Sequence, residues 1–191
     1  KKGGLAMATI IACGGFSSVC GSSLATTATM AKIALPSMKK YNYPDSLATG
    51  VIAAGGTLGI LIPPSMILVL YGIITSQDIG QLFLAGLIPG LLGIIGYIIA
   101  IKISILLNKK SFQTQTPLPF VKKVKSLKGV TGIILLFTIV MGGIYTGIFT
   151  TTEASGVGAF GSLIIVMLKK KISIKSFYEI LIETVKVTSM L

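Results

Sequence analysis

Gly55-Gly56-Thr57-Leu58-Gly59-Ile60-Leu61-Ile62-Pro63-Pro64-Ser65 lies in the middle of an uncharged run from Ser46 to Gln77, 32 residues long. An unbroken apolar run of this length crosses a bilayer as one helix, since about 20 residues suffice. Two consecutive prolines forbid that here. Neither donates a backbone hydrogen bond, and each disfavours helix in the residue before it. Three glycines just upstream loosen the backbone further. The stretch therefore reads as a helix to about Gly55, an unwound segment, and a second helix from just after Pro64, where a proline suits a first turn. In lipid an unwound backbone persists only when it is buried in protein or lines a cavity. A bare kink needs one proline; glycines plus two prolines point to a site.

Composition outside this stretch agrees. Of 191 residues, 52% are hydrophobic and 12% charged, half the ~25% charged share of an ordinary soluble domain. All 17 basic residues are lysines, and against 5 acids they give a net charge of +12. A nucleic-acid reader clusters such charge on a soluble face. Here the lysines sit in short groups between long uncharged stretches, so the expected partner is a lipid bilayer and not nucleic acid. There is no His, and Cys13 and Cys20 lie in an apolar run, which excludes zinc, haem and disulfide frameworks by spacing. The chain opens Lys1-Lys2-Gly3 and ends inside an apolar pattern at Leu191, so a fragment of a longer protein is expected.

Working outward, residues 1–40 are read as a re-entrant hairpin. Two apolar arms, about Leu5–Gly14 and Leu24–Met38, flank breaks at Gly14–Ser18 and Cys20–Ser23, and lysines mark both outer ends. Lysine-rich ends stay cytoplasmic, so the chain enters and leaves on one side with a Ser/Gly tip inside the membrane. Residues 41–77 are the broken transmembrane helix, 78–108 a further span, 109–128 a basic cytoplasmic loop and 129–171 two more spans. In the last pair, Thr150 and Glu153 have capping-box spacing, so Glu153 closes a helix start and does not titrate in a pore. Residues 172–191 alternate Ile174, Phe177, Tyr178, Leu181 and Val185 with Lys175, Glu179, Glu183 and Lys186. That periodicity predicts an amphipathic helix at the membrane surface, or else the start of an interior helix that continues past Leu191.

None of the five acids (Asp45, Asp78, Glu153, Glu179, Glu183) falls in mid-span. Proton-driven carriers show carboxylates or His within the membrane. Na⁺ is the more natural coupling ion, because carbonyls and hydroxyls exposed at helix breaks can hold it. Half-helix N-termini at the same breaks offer N–H groups to an anion. Hydroxyls near the hairpin tip are Ser17, Ser18, Ser22, Ser23, Thr26, Thr27 and Thr29. Close helix packing also favours Gly, Ser and Thr.

Gly21-Ser22-Ser23-Leu24-Ala25-Thr26-Thr27-Ala28-Thr29-Met30, with Ile33–Lys40 and Tyr43, resembles the first re-entrant hairpin of the large membrane subunit of TRAP (tripartite ATP-independent periplasmic) transporters. Leu47-Ala48-Thr49-Gly50 followed by Gly55–Ser65 is a still closer match. Gly142–Thr150 with Thr152-Glu153-Ala154 resembles a third family stretch, although Thr151 stands where the family commonly has Pro. The resemblance covers essentially the whole chain. It implies an all-α polytopic membrane protein, here incomplete, of an elevator type built from inverted repeats. It implies secondary transport of organic anions such as C4-dicarboxylates, usually with Na⁺, across the bacterial inner membrane. It also implies a periplasmic substrate-binding protein and a small four-helix membrane subunit as partners, no cofactor and no enzymatic activity. Carried onto this sequence, the ion and substrate residues are Ser22, Ser23 and Thr26 at the tip and Gly55, Gly56, Thr57, Gly59 and Pro63 at the break. Backbone carbonyls near Gly56 and Gly59 are the expected Na⁺ ligands.

Two rival readings stand beside this one. The first is another Na⁺-coupled divalent-anion symporter with the same hairpin but no binding protein. The second is an intramembrane serine hydrolase using Ser22 or Ser23 with Lys32, although snorkelling to water is the plainer role for that lysine. The lysine groups at 39–40, 109–128 and 169–175 are all predicted to face the cytoplasm. Cysteine introduced at Lys123 should accordingly resist a membrane-impermeant thiol reagent in intact cells; periplasmic labelling there would overturn the topology.

Overall fold

The computed structural model describes residues 3–107, 131–169 and 173–189. All regular elements among them are helices: α1 Gly4–Cys20, α2 Ser23–Lys40, α3 Asp45–Leu61, α4 Met66–Thr75, α5 Ile79–Leu107, α6 Thr131–Tyr145, α7 Thr151–Leu168 and α8 Ile174–Ser189. The chain divides into two compact units, before and after residue 128. The basic loop expected at 109–128 lies outside the described residues. Among the described residues, three stretches are long and apolar enough to cross a membrane: Asp45–Thr75, Ile79–Leu107 and Thr151–Leu168.

In the first unit, α1 and α2 form a helical hairpin, and its arms differ from the sequence expectation. The break predicted at Gly14–Ser18 is absent, and α1 continues to Cys20. Glycine costs an isolated helix only about 1 kcal/mol per residue, and close packing at Gly14 outweighs that. A Cβ there would lie 2.8 Å from Ile94 Cδ1 and 3.4 Å from Ile62 Cδ1. The second predicted break is real. Gly21 takes a left-handed conformation with φ 64°, its N–H bonds the Ser17 carbonyl, and Ser22 caps α2.

Helix α3 also outruns its expected end. It passes through Gly55, Gly56 and Gly59 as regular helix and stops at Leu61, so the unwound segment is 62–65 and not 55–65. Helix α5 runs antiparallel to α3 and α4 along their joint length. Side chains from one meet glycines of the other at Leu68–Gly86, Ile62–Gly90 and Leu58–Gly93. Leu82 reaches Gly72 at the far end. The buried cluster between α1, α2, α3 and α5 holds Ile10, Cys13, Met30, Met38, Val51, Ile52, Leu58 and Ile101.

The hairpin base is tied down by Tyr43, which is only 5% exposed. Helix α1 has no side-chain N-cap. Instead the Tyr43 hydroxyl receives backbone N–H groups of Leu5 and Ala6, two of the donors that a helix start leaves without an internal partner.

In the second unit, α6 and α7 pack as an antiparallel pair, with Gly132 on Ile165, Val140 on Gly158 and Leu136 on Gly161. The ring of Phe149 lies over Gly143, where a Cβ would strike it. The capping box forms as read: Glu153 N–H donates to Thr150 Oγ1, and Thr150 N–H donates to Glu153 Oε2 at 2.9 Å. Helix α8 occupies the predicted amphipathic stretch, with Ile174, Tyr178 and Val185 exposed.

Tyr43→Phe removes the acceptor for two helix-start amides. It should lower the stability of the full-length protein by about 1 kcal/mol, the usual worth of an N-cap, with its fold unchanged. Thermal melting in detergent measures this, and an unaltered midpoint would refute the capping role.

Candidate functional site

The two helix breaks of the first unit meet. At the hairpin tip the Gly21 carbonyl accepts a hydrogen bond from Met66 N–H, the first residue of α4, at 3.2 Å. The approach needs glycine twice over. Gly21 has a positive φ, and a Cβ on it would lie 2.6 Å from the Pro64 carbonyl oxygen.

The glycines of α3 make room for the rest of the hairpin. A Cβ on Gly59 would sit 2.8 Å from the Ser22 carbonyl carbon and 2.9 Å from Ser23 N. On Gly56 it would collide with Thr27 Oγ1, and on Gly55 it would lie 2.5 Å from Cys13 Sγ. One face of α3 is thus flush against the tip and upper arms of the hairpin.

Backbone chemistry at the break follows from the two prolines. In a continuous helix residue 63 would donate to the Gly59 carbonyl and residue 64 to that of Ile60. Pro63 and Pro64 have no N–H to give. The Ile60 carbonyl is satisfied by the Ser65 hydroxyl at 2.8 Å. The Leu61 carbonyl is covered by α5, where a Cβ on Gly86 would be 2.8 Å from its oxygen. No hydrogen bond reaches the Gly59 carbonyl among the described residues. Ser65 also caps α4, its oxygen accepting from Leu68 N–H at 3.5 Å.

Two hydroxyls nearby are orphaned. Ser17 and Thr26 lie one helical turn to either side of the tip, both with 0% exposure, and neither Ser17 Oγ nor Thr26 Oγ1 has a hydrogen-bond partner among the described residues. Buried hydroxyls are nearly always paired, so such a pair beside a helix break marks a place where something polar belongs.

The residues singled out from sequence fall into two groups. Gly59, Ser22 and Ser23 come together where the tip meets the end of α3, next to Pro63 at the break, and Thr26 is buried one turn along α2; Gly56 and Gly55 lie lower on α3, against Thr27 and Cys13 of the hairpin arms. Thr57 does not join them. It faces the other side of α3, where its hydroxyl donates to the Ala54 carbonyl and meets Tyr97 Oη at 2.7 Å. Gly56 and Gly59 act through close packing and not by unwinding, because both are helical. The sequence reading passed over Ser65 and did not single out Ser17. Their signal was weak, a serine directly after Pro-Pro and a serine one turn before the tip.

The hydrolase alternative fails on geometry. Helix α2 is continuous from Ser23 to Lys40, which separates Ser22 from Lys32 by about 15 Å of helix rise. No base at that distance reaches the Ser22 hydroxyl, which already accepts from Ala25 N–H at 3.4 Å.

Among the described residues all regular elements are apolar or amphipathic helices, and a hairpin tip is seated on a proline-broken helix long enough to cross a membrane. The chain belongs to the family described as tripartite ATP-independent periplasmic transporter, DctM component, which it matches over residues 1–191. It is 36% identical over its whole length to the C4-dicarboxylate TRAP transporter large permease protein of Pseudomonas aeruginosa, covering 44% of that relative. It is 42% identical to the protein of the same name in Vibrio cholerae, over 86% of this chain and 36% of the relative. It is 36% identical to the sialic acid TRAP transporter large permease protein of Vibrio cholerae, over 92% of this chain and 41% of the relative. The relatives are named as permeases and not as enzymes. The chain spans less than half the length of the curated relatives it matches.

The packing generates a graded glycine prediction. Gly59→Ala puts a methyl group against hairpin backbone and should destabilise by about 1–3 kcal/mol, as overpacking does. Gly50→Ala, whose Cβ would meet nothing within 4 Å, should be neutral or slightly stabilising. Melting of the two full-length variants in detergent compares them. Equal midpoints would show that the hairpin is not seated as described.

Proposed function

We propose that this chain is the ion- and substrate-handling part of a bacterial inner-membrane carrier. The carrier is the large permease of a TRAP system, which moves organic anions such as C4-dicarboxylates by Na⁺-coupled symport. The observation that carries this reading is the junction of tip and break, where the Gly59 carbonyl and the Ser17 and Thr26 hydroxyls have no partner of their own. Carbonyl and hydroxyl oxygens are the ligands a hard monovalent cation takes where helices are interrupted. The N-terminal ends of α2 and α4 converge on the same junction and offer N–H groups to a carboxylate. The substrates named for the relatives support an organic anion as the cargo, C4-dicarboxylate in two and sialic acid in another.

A re-entrant position for the hairpin is supported by its depth. Its tip meets the break at residues 64–66, and α4 runs from there through its ten residues to Thr75, about 15 Å of rise. The tip thus stops well short of the end of the Asp45–Thr75 span. The resemblance to the family extends the proposal to an elevator motion of this unit, to an inverted repeat in the remainder of the protein, and to two partners. These are a periplasmic substrate-binding protein and a small four-helix membrane subunit.

Replacing Pro63 and Pro64 together with Ala restores donors to the Gly59 and Ile60 carbonyls and favours a continuous helix. In the full-length transporter with its partners, Na⁺-dependent uptake of radiolabelled C4-dicarboxylate per inserted molecule should fall at least about tenfold, the effect expected when one buried ligand is lost. Membrane insertion should stay near normal, because hydrophobic length is unchanged. Wild-type turnover and Na⁺ affinity in the double variant would remove the break from the ion site. Wild-type uptake that follows the proton gradient and ignores Na⁺ would overturn the coupling.

A further inference from the structure

We infer that Ser65 is a positioning residue that decides which carbonyl of the broken helix is left for the cation; this deepens the Na⁺ reading above and rests on it. Pro63 and Pro64 deprive two successive carbonyls, those of Gly59 and Ile60, of their helical donors. By backbone chemistry alone the two are equivalent, and both would be offered to a ligand. Ser65 breaks the tie. Its side chain is 1% exposed, and its hydroxyl donates to the Ile60 carbonyl at 2.8 Å. The same oxygen accepts from Leu68 N–H and so closes the first turn of α4. A hydroxyl has a single proton. With that proton committed to Ile60, Ser65 has none for the Gly59 carbonyl, and it is Gly59 whose α-carbon face lies against Ser22 and Ser23 of the hairpin tip.

The arrangement has a functional consequence distinct from holding the fold together. Ser65 fixes the coordinating set without belonging to it: one carbonyl is withdrawn from competition and its neighbour is presented to the tip. Removing the hydroxyl leaves the Ile60 carbonyl without the partner that the buried Ser65 supplied. A second acceptor of equal strength then stands one residue from the first, and the preference of the site for one cation geometry is weakened. Thr keeps the hydroxyl and the cap, and it should keep the preference.

The test uses the full-length transporter with its partner subunits in proteoliposomes, with radiolabelled C4-dicarboxylate as substrate and Na⁺ and Li⁺ as the cations. Ser65→Ala should shift the Na⁺ concentration for half-maximal uptake by at least about threefold, the scale of one lost hydrogen bond. It should also narrow the Na⁺ over Li⁺ preference, with the half-saturating substrate concentration at saturating Na⁺ unchanged. Ser65→Thr should restore wild-type values. Half-saturation does not depend on how much protein inserts, so a variant that merely folds poorly loses maximal rate and leaves these constants alone. That outcome would overturn the inference and reduce Ser65 to a helix cap. If wild-type uptake ignores Na⁺ altogether, the coupling reading itself fails. If wild type needs Na⁺ and Ser65→Ala matches it in half-saturation and in Li⁺ use, only the positioning role fails.

Discussion

A backbone amide that leaves its helix inside a membrane has no water to turn to. It must find a partner in the protein or be placed where a ligand supplies one. This chain breaks its helices at two points in the first unit, and each break answers a need of the other. The carbonyl of Gly21, at the end of α1, takes the N–H of Met66, at the start of α4. Once those two points are joined, much else follows. Backbone must approach backbone at the tip, so Gly59 and Gly21 lack side chains at the contact, and the hairpin arms are drawn onto α3 at Gly55 and Gly56. Near the junction, the Ser17 and Thr26 hydroxyls and the Gly59 carbonyl have no hydrogen-bond partner among the described residues. That residue of unmet polarity sets the junction apart from the other helix contacts of the unit.

Small residues play the same part along α5. Within lipid the hydrophobic effect gives helices little reason to associate, and close packing takes its place. Gly86, Gly90 and Gly93 lie along one stripe of α5 and admit Leu61, Ile62 and Leu58 of the broken helix. Gly86 has a second role, since its lack of a side chain lets α5 pass directly over the Leu61 carbonyl. On its other faces α5 shows Leu91, Leu92, Ile95 and Ile99, each at least half exposed. In water such a surface would aggregate; in a bilayer it is ordinary.

How much of this could be read from residues alone depends on the range of the physics involved. Helix ends governed by neighbours within four residues were legible. The Thr150–Glu153 capping box and the interruption at Cys20–Ser23 are local, and both appear where expected; the interruption at the two prolines is also present, but α3 runs six residues past its expected end. Runs of glycine were misread. Gly14-Gly15 and Gly55-Gly56 suggested unwinding, yet both pairs are helical. Glycine costs a helix about 1 kcal/mol, and a sequence does not reveal whether a partner sits close enough to outweigh that. Here Cys13, Thr27 and Ile94 do.

The all-helical membrane class, the two interrupted segments and the absence of mid-span carboxylates were thus determined by the sequence, because charge spacing and proline chemistry act without reference to distant residues. Tertiary structure decided which interruptions face one another and which oxygen atoms go unpaired there. It sent Thr57 to Tyr97 on the far side of α3 while Thr26, equally marked by its motif, was buried beside the tip. It also gave Ser65, an unremarked serine after two prolines, the task of choosing between two carbonyls. The reason is physical: proline removes donors from positions fixed along the chain, but which acceptors are then satisfied depends on groups that only folding brings within 3 Å.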